Sequence, residues 1–132
     1  MIALTALGLA LTGMSQKTVM NDRSPEGKWI LKYLQMEGQL QNVAAKAYQI
    51  EFSNDGQMST KICNNIGGKF TITGNSISFG PVRSTKMMCP DMNYESAFNK
   101  AIMEADTIEY KGSEMILKKG KEIVMTLYMP VN

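Results

Sequence analysis

"AYQIEFSNDGQMSTKI", residues 47–62, decides how the chain is to be read. Tyr48, Ile50 and Phe52 alternate with Gln49 and Glu51, the period of two that places apolar side chains on one face of a strand. "SNDG" (53–56) is a turn, with Asp-Gly supplying the positive φ of a tight hairpin, and a second strand follows over 57–63. Working outward, short strands are expected over 28–36, 68–73, 76–79, 82–86, 107–111, 114–119 and 122–129. Gly74-Asn75, Gly80-Pro81, Gly112-Ser113 and Gly120 punctuate them. That spacing describes an antiparallel meander closing toward a barrel.

One stretch has a different period. In "PDMNYESAFNKAIMEAD" (90–106), Tyr94, Ala97, Phe98, Ala101, Ile102 and Ala105 form an apolar stripe along one side of a helix. Asp91 or Asn93 is placed to cap its N-terminus, after Pro90. The stripe must be covered, and the concave face of a curved sheet is the available cover. The expected class is therefore α+β, a curved antiparallel sheet or incomplete β-barrel wrapped around one main helix.

The 132 residues make one domain, here taken as 28–132, with 44% hydrophobic and 20% charged residues. A net charge of +2 with no basic stripe argues against a nucleic-acid partner, and "KKGK" (118–121) reads as a solvated hairpin turn. Ahead of the domain, "IALTALGLAL" (2–11) is an uncharged apolar run. As a helix it would reach ~15 Å, too short for a bilayer and the size of a signal-peptide core. Residues 1–15 are read as a signal peptide and 16–27 as a tether, although no positive residue precedes Lys17. "LTGM" (11–14) has the look of a lipoprotein signal, Leu11-Thr12-Gly13 followed by Met14 where the acylated cysteine would stand. An N-terminal core helix is the alternative reading of the same run. Export to the periplasm or outer membrane follows from the first reading, with a soluble monomer as its product.

The chain has no histidine and two cysteines, Cys63 and Cys89. That removes a Ser-His-Asp triad, a Cys-His pair and imidazole-bound zinc, and two thiols cannot complete a thiolate site alone. In an exported chain the remaining reading is one disulfide, Cys63–Cys89; in a cytosolic chain it is two separate buried thiols. Closing that loop contributes ~3.5 kcal/mol in the chain-entropy picture.

The residues around these cysteines resemble a known family. "CNNIGGKF" (63–70) is similar to the Cys-Asn-x-x-x-Gly-x-Tyr/Phe segment of the META/HslJ family, and "STKMMC" (84–89) to its Thr-Arg/Lys-Met-Ala-Cys segment. Glu95 and Phe98 match its Glu-x-x-Phe helix; Trp29, Leu31, "YKGSEMILKK" (110–119) and "MTLYM" (125–129) match its outer strands. Ile62 and Met88 depart from the family's usual glycine and alanine. The resemblance covers roughly 25–129 and places both cysteines on family positions. It marks Asn64, Gly68, Phe70, Thr85, Lys86, Met87, Glu95 and Phe98 as signature residues rather than catalytic ones. Asn64 and Gly68 are expected to fix a turn or bulge through left-handed backbone angles, and Lys86 to be a solvated lysine on a strand.

The resemblance implies a bacterial envelope protein linked to heat stress and novobiocin resistance, with no established enzymatic activity and no cofactor. The expected role is a non-catalytic module that binds an envelope protein or an apolar ligand, the latter held in the barrel mouth. Two rivals are weighed against it. A Cu(I) binder would use "MMCPDM" (87–92), from a chain with twelve methionines, although Met125 and Met129 beside Leu127 read as core residues. A hydrolase would use two of Glu51, Asp55, Asp91, Glu95, Glu104 and Asp106, although acids on a helix face are ordinarily solubilising charges.

Overall fold

A computed structural model describes residues 23–130. The expected signal peptide, the lipoprotein-like Leu11–Met14 and tether residues 16–22 lie outside the described residues. Among the described residues ten strands and one α-helix follow in order, with a short 3-10 turn at Ala44–Lys46: β1 (Gly27–Met36), β2 (Gln39–Asn42), β3 (Gln49–Phe52), β4 (Gln57–Lys61), β5 (Asn65–Thr73), β6 (Ser76–Phe79), β7 (Arg83–Ser84), α1 (Met92–Glu104), β8 (Thr107–Lys111), β9 (Glu114–Lys119) and β10 (Glu122–Tyr128).

Every pairing is antiparallel, and the barrel is closed rather than incomplete. The ring runs β1-β10-β9-β8-β6-β5-β4-β3 and returns to β1, with β2 and β7 as short additions to β1 and β5. Closure comes from the first and last strands of the domain, which pair from Ile30↔Tyr128 to Leu34↔Met125. The narrowest joint is β6–β8, a single register pair, Ser76↔Thr107. Ile77 N donates to Asp106 O (3.1 Å) and Ile108 N to Asn75 O (2.8 Å) on either side of it. Closing the ring leaves only short strand edges among the described residues.

The turns explain why consecutive strands fold back. Gly74, Gly112 and Gly120 each open a two-residue hairpin loop with φ near +60°, as a type II′ turn requires. Several elements differ from expectation, β4 among them, which ends at Lys61 rather than at 63. β2 had no signature because all four of its residues are exposed, so no face is apolar. β5 begins at Asn65, three residues early, because Gly67 and Gly68 continue the strand instead of turning it. The strand expected over 82–86 contracts to Arg83–Ser84.

Inward rows of side chains form one core. Leu34, Met125, Leu117 and Ile108 lie in register across four strands, and each is at most 1% exposed. The stripe of α1 joins them: Phe98, Ala101 and Ile102 are buried, while Tyr94 and Ala97 pack on the margin. The helix lies against β1, β6 and β10. Met58, Met115 and Met125 are core residues, whereas Met129, expected beside Met125, is exposed because the strand ends at Tyr128. The last part of the expected tether is docked. Pro25 is buried and its carbonyl accepts from Trp29 Nε1 at 2.7 Å, while the Arg23 guanidinium lies 4.4 Å from the centre of the Tyr110 ring.

Phe98 is fully buried at the centre of the helix contact. Phe98→Ala is expected to cost ~3–5 kcal/mol in urea unfolding. A loss below ~1 kcal/mol, the size of a surface truncation, would mean that the helix does not pack as described.

Candidate functional site

Four of the signature residues, Asn64, Thr85, Met87 and Glu95, converge on the connection between β4 and β5, whereas Gly68, Phe70, Lys86 and Phe98 lie apart from it. Lys61 and Asn65 pair across it, leaving Ile62, Cys63 and Asn64 as a tight three-residue bend. The bend presents two backbone N–H groups inward, and α1 supplies their acceptor from its first turn. Glu95 is 3% exposed, and its Oε1 accepts from Cys63 N (3.0 Å) and Asn64 N (2.6 Å). Its Oε2 accepts from Asn64 Nδ2 at 2.8 Å. Burial pushes the Glu95 carboxyl up, but these three donors outweigh it and hold its pKa below the ordinary glutamate value. Glu95 is thus no solubilising charge; its position near the helix N-terminus also favours the ionised form.

Asn64 is the hub. Its Oδ1 accepts from Met87 N (2.6 Å) and Thr85 Oγ1 (2.9 Å), and its Nδ2 donates to Glu95 and to Met87 O (3.2 Å). That is the full capacity of an amide side chain. Thr85 Oγ1 also accepts from Asn65 N at 3.1 Å, and Thr85 N donates to Asn65 O at 3.2 Å. Beside this network Cys63 and Cys89 form the disulfide, their Cα atoms 6.0 Å apart. Covalent and polar ties thus converge on the same stretch, 85–89.

The backbone angles correct one expectation. Neither Asn64 nor Gly68 has a positive φ. Gly68 is glycine for space, since a Cβ there would stand 3.3 Å from both Pro81 O and Val82 Cγ1. Phe70 packs edge-on against Phe52, ring centres 5.2 Å apart. Lys86 is exposed as expected, but in a loop rather than on a strand.

The other acids on or beside the helix, Asp91, Glu104 and Asp106, have separate partners. Asp91 accepts from the Tyr48 hydroxyl and from Lys46 Nζ at 3.4 Å. The Tyr48 bond holds the Asp91 carboxyl below its ordinary pKa, while burial and Asp91 push the Tyr48 phenol up. Although Asp91 occupies the N-cap position, its side chain caps nothing. Glu104 pairs with Lys100 at 2.8 Å, and Asp106 accepts from Gly120 N at 3.0 Å. The Tyr48–Asp91 contact had no sequence signal, since it joins residues 43 apart.

The order and geometry of these residues agree with the comparisons to known proteins. The META domain family matches residues 22–130. The chain belongs to that family. Solved structures share the fold of this META domain. One, an NMR structure of a protein from Burkholderia xenovorans, is 21% identical with a TM-score of 0.63, covering 89% of this chain and 96% of its own. A second NMR structure is 17% identical with a TM-score of 0.61, covering 84% and 95%. A crystal structure of a DUF4847 family protein from Bacteroides vulgatus is 16% identical with a TM-score of 0.58, covering 79% and 92%. Comparison with curated proteins finds no match.

Glu95→Gln turns one acceptor oxygen into a donor facing Asn64 Nδ2, and is expected to cost ~1–3 kcal/mol at neutral pH. The folded pKa of Glu95 is depressed, so its contribution is complete above the unfolded value of 4.5 and is lost as pH falls through the folded one. Urea titrations at pH 7 and pH 3 should therefore show the gap between wild type and Glu95→Gln narrowing in acid. A gap independent of pH would contradict an ionised Glu95. A separate change, Cys63→Ala with Cys89→Ala, is expected to cost ~2–5 kcal/mol while keeping the fold. An unchanged urea midpoint would show that the bond does not brace the domain.

Proposed function

We propose that this META domain is a non-catalytic module of the bacterial envelope that works by docking. One observation carries the reading: the polar signature residues at the bend, Asn64, Thr85 and Glu95, use up their chemistry on one another and on the backbone around them. The Glu95 carboxylate accepts three N–H bonds and the Asn64 amide is saturated, so neither has capacity left for a general acid–base cycle. The disulfide supports export, because such bonds persist outside the reducing cytosol. It also counts against the Cu(I) reading, since the Cys89 sulfur is already bonded.

The filled interior turns attention from a ligand within the barrel to the surface. Trp29, Leu31, Phe98, Met115 and Leu127, each at most 1% exposed, fill the barrel interior behind its mouth. A role in heat stress belongs to this proposal only through the family resemblance.

Fractionation of the native host, with alkylation before reduction and intact-mass measurement, tests the reading. The expected product is in the envelope fraction, lacks residues 1–15 and carries no alkylated cysteine. Cross-linking from position 86 should capture an envelope component. A cytosolic product that retains Met1 and alkylates at both cysteines would overturn it.

A further inference from the structure

Residues 83–89, which the Asn64 network and the disulfide brace from behind, carry outward-facing chemistry that neither tie requires. Met87 is 49% exposed and Met88 86%, the latter the most exposed large apolar side chain among the described residues. Arg83 and Lys86 lie beside them in sequence, both exposed, and neither has an acidic partner among the described residues. The Arg83 guanidinium extends along the outer face over Gly67, where a Cβ would lie 3.5 Å from its Nη2. On β4, Lys61 is exposed and likewise without an acidic partner; it pairs with Asn65, whose N–H bonds Thr85 Oγ1.

Two adjacent exposed thioethers are unfavourable in water, and a free loop would fold them away. This loop is braced against that: Met87 N and O both bond Asn64, and Cys89 is covalently anchored. Rigid apolar tips flanked by unpaired cations have the layout of an interfacial anchor. The tips enter the acyl boundary while the cations meet lipid phosphates. A protein partner fits less well, because two side chains cover little of the ~800 Å² per partner that a stable protein interface buries.

We propose that residues 83–88 dock the domain on an anionic bilayer, with Met87 and Met88 inserted at the acyl boundary and Arg83 and Lys86 on lipid phosphates. Lys61 adds a third cation to the same face. This deepens the docking role proposed above and rests on it for the bilayer's presence. Purified vesicles test the surface alone, so failure here would leave capture of an envelope protein standing.

Co-sedimentation of the full chain with vesicles of phosphatidylglycerol in phosphatidylcholine, against phosphatidylcholine alone, is the measurement. The chain is expected to bind the anionic vesicles and to be released by high salt. Arg83→Ala and Lys86→Ala should each weaken partition about five-fold, and Lys86→Arg should restore it. Met88→Ser should weaken it about ten-fold. These side chains are exposed, so the variants keep the fold, which circular dichroism checks. Lys121→Ala, at the β9–β10 turn, should change nothing. Equal binding to neutral vesicles, no binding at all, insensitivity to Arg83, Lys86 and Met88, or an equal loss with Lys121→Ala would each overturn the proposal.

Discussion

A carboxylate held beneath the surface by three N–H donors sets the terms for the rest of this molecule. Glu95 gives the Ile62–Asn64 bend an acceptor it cannot find within its own hairpin, and so ties the start of α1 to the β4–β5 connection. Without it two buried backbone donors would be unpaired, each costing about 1–3 kcal/mol. Asn64 extends the tie to Thr85 and Met87, so one side chain joins the bend, the 85–87 loop and the start of α1. The disulfide then makes the same join covalently. Redundant bracing of this kind gives a loop without regular secondary structure a single conformation.

The barrel supplies the platform on which that bracing works. Its strands close through β1 and β10, far apart in sequence, and the helix fills the core beside them. β6 and β8 touch through a single register pair, so the ring is thinnest immediately before α1 leads into β8. Helix packing and strand closure therefore depend on one another. Phe98 and Ile102 have no apolar cover without β1 and β10, and the β6–β8 joint has little to hold it without the helix.

The same bracing bears on what the protein does. Residues conserving their hydrogen-bonding capacity for substrate would stand partly unsatisfied; here the polar groups of Asn64 and Glu95 are spent on holding the loop. What they leave free is the loop's outer side, where Met87, Met88, Arg83 and Lys86 face solvent. In the docking role proposed above, function lies on the surface that the network presents.

Much of this was legible in the chain itself. The alternation of Tyr48, Ile50 and Phe52, the glycines that open the hairpins and the stripe through Phe98 and Ile102 are local signals, because a strand or helix that buries one face must repeat at its own period. The cysteine pairing was legible too, by elimination and by resemblance. Strand β2 was not, since a segment exposed on both faces has no period to show. Gly68 was read for its backbone angles and is needed for its missing Cβ, a demand made by Pro81 and Val82 from the neighbouring segment. By its spacing Glu95 looked like any charge on a helix, and only the family resemblance marked it, because its burial depends on donors 31 and 32 residues away. The sequence alone determined most of the elements and their order. Closure of the ring, the burial of Glu95 and the outward set of Met87 and Met88 were decided only by tertiary structure, because each depends on partners that meet only when the chain is folded.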